Sequence, residues 1–322
     1  MKIKYAIIVV SILIVWSCSK PKVIDIDSKK LLENVKILSN DSLEGRYFSA
    51  PGNYKAQKFI SNKFKELGLK TVSENNFLQE FSFTFKKQKR QDIFPIQNPK
   101  EDFSNVPDTT AIGGNIIGML KGKTNKSIVI TAHFDHLGIK EGKIFNGADD
   151  NASGTAALFA IAAYFKNKPT QHNLIFAAVD AEEIGSLGAE YFLKNYKEKK
   201  NIVLNINLDM IAHSDYDPDL FACGLYHYPD LRKPLEKIKS EKIKLLFGHD
   251  DSNSKEQSDW TFSSDHRVFH REKIPFIYFG VPDHKDYHRN TDTFATINKS
   301  FYIESVKVII QAIENFDEYL TE

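Results

Sequence analysis

Cysteine is scarce: the 322 residues contain only Cys18 and Cys223, which rules out a disulfide framework. An excess of either charge is lacking too. The 43 basic and 42 acidic side chains leave a formal charge of +1, so no global field draws the chain to nucleic acid or an acidic surface. Internal repeats and low-complexity segments are absent, which excludes solenoids and arrays. Long apolar runs are missing except for Tyr5 to Trp16, too short for a comfortable membrane span. What remains is 42% hydrophobic and 12% aromatic, enough for a substantial core in one large α/β domain or two smaller ones.

Residues 1–18 read as an export signal. Lys2 and Lys4 form the charged start, the apolar run follows, and Val15-Trp16-Ser17-Cys18 resembles a bacterial lipoprotein cleavage box. That resemblance implies an exported protein held to a cell-envelope membrane by lipid on Cys18, on the periplasmic or cell-surface side. Cys223 would then have no partner. Residues 19–28 are expected to be a polar tether, and 29–322 a single domain.

Helical spacing is expected over 29–38 and 53–67, and the alternation of Phe81, Phe83 and Phe85 argues for a half-buried strand over 77–85. Residues 86–110 hold three prolines and no period and read as a long excursion. Thereafter strands (115–120, 127–132, 174–179, 202–208, 276–279) alternate with helices (155–165, 186–196, about 229–241, 300–319). This pattern predicts an α/β fold, a largely parallel sheet covered on both faces: a three-layer α/β/α sandwich.

In such sheets ligands sit beyond the carboxyl ends of the strands. His133 and Asp135 follow the strand at 127–132, Glu182 and Glu183 follow 174–179, Asp209 follows 202–208, and His288 lies after 276–279. Asp150 sits in the small-residue loop 147–154 before a helix. Two histidines and three carboxylates suit a pair of zinc ions, with His133 and Asp209 on one, Glu183 and His288 on the other, and Asp150 shared. The charges agree: two divalent ions, three carboxylates and a bridging hydroxide sum to zero. Asp135 is placed to fix the His133 tautomer, and Glu182 to act as general base on the activated water. Amide hydrolysis is the natural outcome.

The segments His133-Phe-Asp135-His-Leu-Gly, Gly147-Ala-Asp-Asp150-Asn-Ala-Ser-Gly154, Asp180-Ala-Glu182-Glu183-Ile-Gly, Asn207-Leu-Asp209-Met and Tyr287-His288-Arg-Asn-Thr-Asp292-Thr resemble the co-catalytic zinc aminopeptidases, metallopeptidase family twenty-eight. Leu43-Glu-Gly-Arg46 and Ser264-Asp265-His266 are similar to bacterial members. The resemblance implies an α/β/α sandwich, the same two-metal assignment, and removal of N-terminal residues from peptide substrates. A glutaminyl cyclase, a carboxypeptidase or dipeptidase using Arg267 or Arg271, and a non-catalytic receptor-like surface lipoprotein are the alternatives. His136, His266 and His284 are expected in structural or substrate-side roles. His172, His213, His227, His249 and His270 are expected at the surface, Asp149 as a brace, and Asp292 as either an orienter of His288 or a turn cap.

Overall fold

Three apolar runs form the middle of the molecule: β4 (Ser127–His133), β7 (Asn173–Val179) and β8 (Ile202–Leu208). The computed structural model describes residues 24–72, 76–85, 108–213, 215 and 217–321. The signal segment, Cys18 and residues 86–107 of the excursion lie outside the described residues. Among the described residues, no helix is long and apolar enough to cross a membrane.

Around these runs stand β1 (Lys70–Thr71), β2 (Leu78–Phe85), β3 (Thr109–Leu120), β9 (Asp219–Cys223), β10 (Lys244–Phe247) and β11 (Phe276–Gly280), in the order β1-β3-β7-β4-β8-β11-β9-β10 with β2 also on β3. The pairs β4–β7, β4–β8, β8–β11 and β9–β10 are parallel, whereas β1–β3, β2–β3, β3–β7 and β9–β11 are antiparallel. The sheet is therefore mixed, parallel at its centre and turned over toward both edges, rather than largely parallel. A separate hairpin, β5 (Gly138–Lys140) and β6 (Lys143–Phe145), follows β4.

Side chains alternate across the sheet as a two-residue period requires. Ile128, Ile130, Leu174, Phe176, Leu204 and Ile206 join one buried cluster, while Val129, Ile175 and Ala177 join another on the opposite face. The first is covered by α1 (Ser28–Leu38), α2 (Pro51–Leu67), α3 (Gly154–Phe165) and α7 (Lys299–Tyr319), the second by α4 (Leu187–Asn195) and α6 (His266–Arg271). Three layers result, as the alternation predicted. α2 shows how locally the ends are set. Pro51 opens it and Gly68, at φ 76°, closes it in a Schellman-type turn, with Leu69 N–H donating to the Phe64 carbonyl.

Three expectations change. Ile24 is buried in the core and Asp27 caps α1, so residues 24–27 of the expected tether belong to the folded body. The helix expected over 229–241 shrinks to a 3-10 turn at Pro229–Leu231 and α5 (Arg232–Glu236), because Ser240 Oγ accepts from the amides of Lys242 and Ile243 and turns the chain away. Strand β3 begins at Thr109, inside the segment read as excursion, because it pairs along the whole of β2.

Candidate metal centre

Of the sequence-predicted site residues, His133, Asp135, Glu182, Glu183 and Asp209 lie at or just past the ends of β4, β7 and β8, while Asp150 sits in the turn at Ala148–Ser153 and His288 in the loop after β11. His133 is the last residue of β4, and its Nε2 lies 3.2 Å from Asp209 Oδ1 and 3.4 Å from Asp150 Oδ1. His288 Nε2 lies 3.2 Å from Asp150 Oδ2 and 3.5 Å from Glu183 Oε2. Asp150 thus stands between two sets of donors, touching His133 with one oxygen and His288 with the other. Glu182 lines the same cavity of about 410 Å³, together with Met210, Asp259, Trp260, Tyr278, Asp283 and Tyr287.

The backbone is bent to deliver these groups. Ala181 precedes the Glu182–Glu183 pair at φ 60°, Met210 follows Asp209 at φ 57°, and His288 itself has φ 53°. Left-handed non-glycine residues persist only where their surroundings over-determine them. Gly147, at φ 53°, opens the Asp150 loop; a Cβ there would collide with the Asp150 carbonyl oxygen and the His136 ring.

A layer of fixed partners holds the donors. Asp135 Oδ1 and Oδ2 accept from the amides of Glu182 (3.0 Å) and Glu183 (3.3 Å), clamping the turn between them. Its carboxylate is 3.7 Å from His133 Nδ1, while its own carbonyl is 3.1 Å from that nitrogen. Asp135 therefore orients His133 mainly through its backbone, and its carboxylate serves Glu182 and Glu183. Asp292 accepts from the amides of Asp149 and Asp150, which settles it as a brace of the metal loop rather than a partner of His288. Asp149 accepts from Ala212 N–H at 2.7 Å and faces His284 Nε2 at 3.2 Å. Tyr302 of α7 donates its hydroxyl to the Ser153 carbonyl at 2.7 Å, fixing the far end of the loop.

Two contributors escaped the sequence. His136, fully buried, places Nδ1 2.7 Å from Glu183 Oε1 and 3.6 Å from Asp150 Oδ2, so it belongs to the centre rather than to the substrate side. Burial pushes its imidazole down to about 4. Arg46 is fully buried beneath the same loops. His136 could be suspected from its spacing to His133; nothing in the sequence singles out Arg46 beyond its loop.

Several histidines read as surface groups are not. His172 is buried and paired with Asp317 at 3.0 Å, and His249 stacks on Trp260 with centroids 3.6 Å apart. His213 is buried between Asp286 and Asp215 and lies face to face with His284, centroids 3.8 Å apart and planes within 1°. Parallel stacked rings cannot aim their in-plane lone pairs at one ion, so His213, His284 and Asp286 form a brace behind the centre. Arg271 faces outward to Glu190, and neither it nor Arg267 lines the cavity.

The charges explain what the site requires. Burial, with Asp150 next to it, pushes Glu183 up to about 8; burial raises Asp265 to about 7; and burial drives Glu182 well above its ordinary value despite His133. Against the pull of burial, His136, His133 and His288 hold Asp150 well below the usual carboxylate range. Carboxylates crowded this closely repel one another unless cations lie between them. The trios His133–Asp150–Asp209 and His136–Asp150–Glu183, each with donor atoms within 4.8 Å of one another, share Asp150 and supply mixed nitrogen and oxygen donors suited to divalent ions. Donor set and fold together mark a candidate divalent-metal centre at the edge of an α/β sheet.

The chain belongs to Peptidase family M28, whose model matches residues 115–313. Aminopeptidase YwaD of Bacillus subtilis is 29% identical over 222 residues, which span 64% of this chain and 45% of that protein. The chain spans about half the length of the curated relatives it matches. Among solved structures, the fold is shared by BSAP, a zinc aminopeptidase from Bacillus subtilis, at a TM-score of 0.66 and 18% identity, covering 91% of this chain and 96% of that one. It is shared equally by a glutaminyl cyclase of Bacteroides thetaiotaomicron, at a TM-score of 0.68 and 18% identity, covering 91% and 99%.

Proposed function

We propose that the protein is an exported, lipid-anchored aminopeptidase that binds two zinc ions and hydrolyses the N-terminal peptide bond of its substrates. His133 and Asp209 would hold one ion and Glu183 and His288 the other, with Asp150 available to both and His136 bonded to Glu183. The observation carrying this reading is the convergence of these donors at one rim, with Glu182 beside them in the same cavity. No lysine or arginine is among the residues lining that cavity, although Lys140 acts on Glu183 and His288 from outside it, while Asp259 and Asp283 on its wall suit a terminal ammonium. This favours an aminopeptidase over a carboxypeptidase or dipeptidase. The aminopeptidase names of the relatives support the same choice.

When bound, the ions supply polarisation of the scissile carbonyl and acidification of water. The chain supplies the rest. Glu182, anchored through its amide to Asp135 and through Oε1 to the Ser186 hydroxyl at 3.3 Å, takes the proton of the attacking water. The water oxygen bonds to the carbonyl carbon, the carbon–nitrogen bond breaks, and Glu182 returns the proton to the leaving amine.

The test is digestion of a peptide library by purified, zinc-loaded protein, with zinc counted per chain. Stepwise loss of N-terminal residues and two ions per chain are expected. Release of C-terminal residues would overturn the reading. Loss of ammonia from N-terminal glutamine without cleavage would instead favour the cyclase chemistry of the Bacteroides neighbour.

A further inference from the structure

Arg46 is the single lysine or arginine in the buried set among the described residues, and its side chain makes no bond to a carboxylate. Every hydrogen bond found for its guanidinium goes to a main-chain carbonyl. Nε donates to Phe134 (2.6 Å), Nη1 to Leu38 (2.5 Å) and Asn146 (2.7 Å), and Nη2 to Gly147 (3.0 Å). These carbonyls matter by position. Phe134 lies between His133 and Asp135; Asn146 and Gly147 open the loop that carries Asp150; Leu38 ends α1. One planar fork therefore ties both ligand-bearing loops to each other and to a helix. Arg46 is itself held in place by Asn53, whose Nδ2 donates to the Arg46 carbonyl at 3.0 Å.

A neutral amide could bond carbonyls without the heavy desolvation cost of a buried charge. The charge has a use in the acids around it. Burial lowers the guanidinium only to about 10, with Asp292, Asp135, Asp150 and Glu183 acting against that fall, so it is charged at neutral pH. The proposed ions balance the ligand carboxylates. Asp135 and Asp292, which accept the amides of Glu182, Glu183, Asp149 and Asp150, lie outside that balance, and both act on Arg46, the one buried lysine or arginine among the described residues.

We propose that Arg46 is a positioning residue for the metal centre, fixing the His133 and Asp150 loops through their carbonyls and offsetting the charge of the carboxylates that brace the ligands. This rests on the reading of the rim as a zinc site. The test is zinc affinity, measured by competition with a chromogenic chelator at fixed temperature on folded protein, for wild type, Arg46→Met and Arg46→Lys. Loss of an outer partner typically weakens metal binding ~10–100-fold, and that is the expectation for Arg46→Met. Arg46→Lys, which keeps the charge but has three donors on a single nitrogen, should fall between Arg46→Met and wild type. If Arg46→Met does not fold, Arg46→Lys alone decides, with a loss of at least ~5-fold expected on the same scale. A lowered melting temperature with zinc affinity within threefold of wild type in the folded variants would make Arg46 a purely structural clamp and overturn the proposal. Wild type that takes up no zinc would instead overturn the reading of the rim on which the proposal stands.

Discussion

The two ends of the central sheet are built from the same strands and respond to charge in opposite ways. At the carboxyl end, burial pushes acids up: Glu183 and Asp180 to about 8, Asp265 to about 7 and Asp292 to about 6. At the amino end, just before β7, Asp317 of α7 is held below its ordinary value despite partial burial, by His172 and the amides of Gln171 and His172. A larger cavity also opens at the amino end, about 810 Å³ against 410 Å³, lined by Asn125, Asn173, Asn201 and Tyr196. Its side-chain amides are each satisfied by a local partner and converge on nothing: Asn173 Oδ1 accepts from the Gly122 amide and Asn201 Nδ2 donates to the Glu198 carboxylate. Size therefore does not mark the reactive end of this molecule. Uncompensated buried charge does.

The contrast can be broken most directly at Glu182. Glu182→Gln should lower kcat by ~10²–10⁴-fold, the usual contribution of a general base, with zinc content unchanged. Activity within tenfold of wild type would move the chemistry elsewhere. Asp150→Ala removes the donor common to both trios, so zinc per chain should fall toward zero, and with it peptide hydrolysis.

The pH response sharpens the same comparison. Acids whose folded values are raised bind extra protons in the folded state, so they cost stability as pH climbs from their unfolded values toward their folded ones. Chelator-treated protein should lose melting temperature between about pH 5 and 8, the window set by Glu183 and Asp265, and zinc should restore it at pH 8. Parallel scans with and without zinc check this. Asp317 has the opposite sign. Its contribution is present above the unfolded carboxyl value of 3.8 and is lost as pH falls through the lower folded value. Asp317→Asn should lower the melting temperature by ~2–5 °C at pH 7, a loss of about 1–2 kcal/mol, and the gap to wild type should close as pH falls below the unfolded carboxyl value of 3.8, with kcat unaltered. The smallest effect belongs to the large cavity: Asn125→Ala should change kcat/KM less than twofold, and a greater change would give that cavity a role in turnover.

The reactive end was the more legible of the two. Strand ends announce themselves through apolar runs followed by acids and imidazoles, so His133, Asp150, Glu182, Glu183, Asp209 and His288 could be placed at one rim before any contact was known. The flanks were not legible. Strands β9 and β10 are short runs, Asp219–Cys223 and Lys244–Phe247, and their places, β9 beside β11 and β10 beside β9, are set by tertiary pairing. Histidines were misread for a related reason. His172, His213 and His249 sit in polar stretches, but Asp317 and Asp286, remote in sequence, cover the first two, and Trp260, at the far end of a loop, stacks on the third. Arg46 was hidden because carbonyl oxygens, its partners, leave no mark on a sequence.

The bond from Tyr302 to Ser153 has a consequence for biosynthesis. Every donor of the centre leaves the ribosome before α7 does, yet the Ser153 end of the loop bearing Asp150 gains its bond to Tyr302 only when that helix docks. A nascent chain already showing all its ligands would still lack that tie, so the Asp150 loop would reach its final rigidity only once α7 has docked.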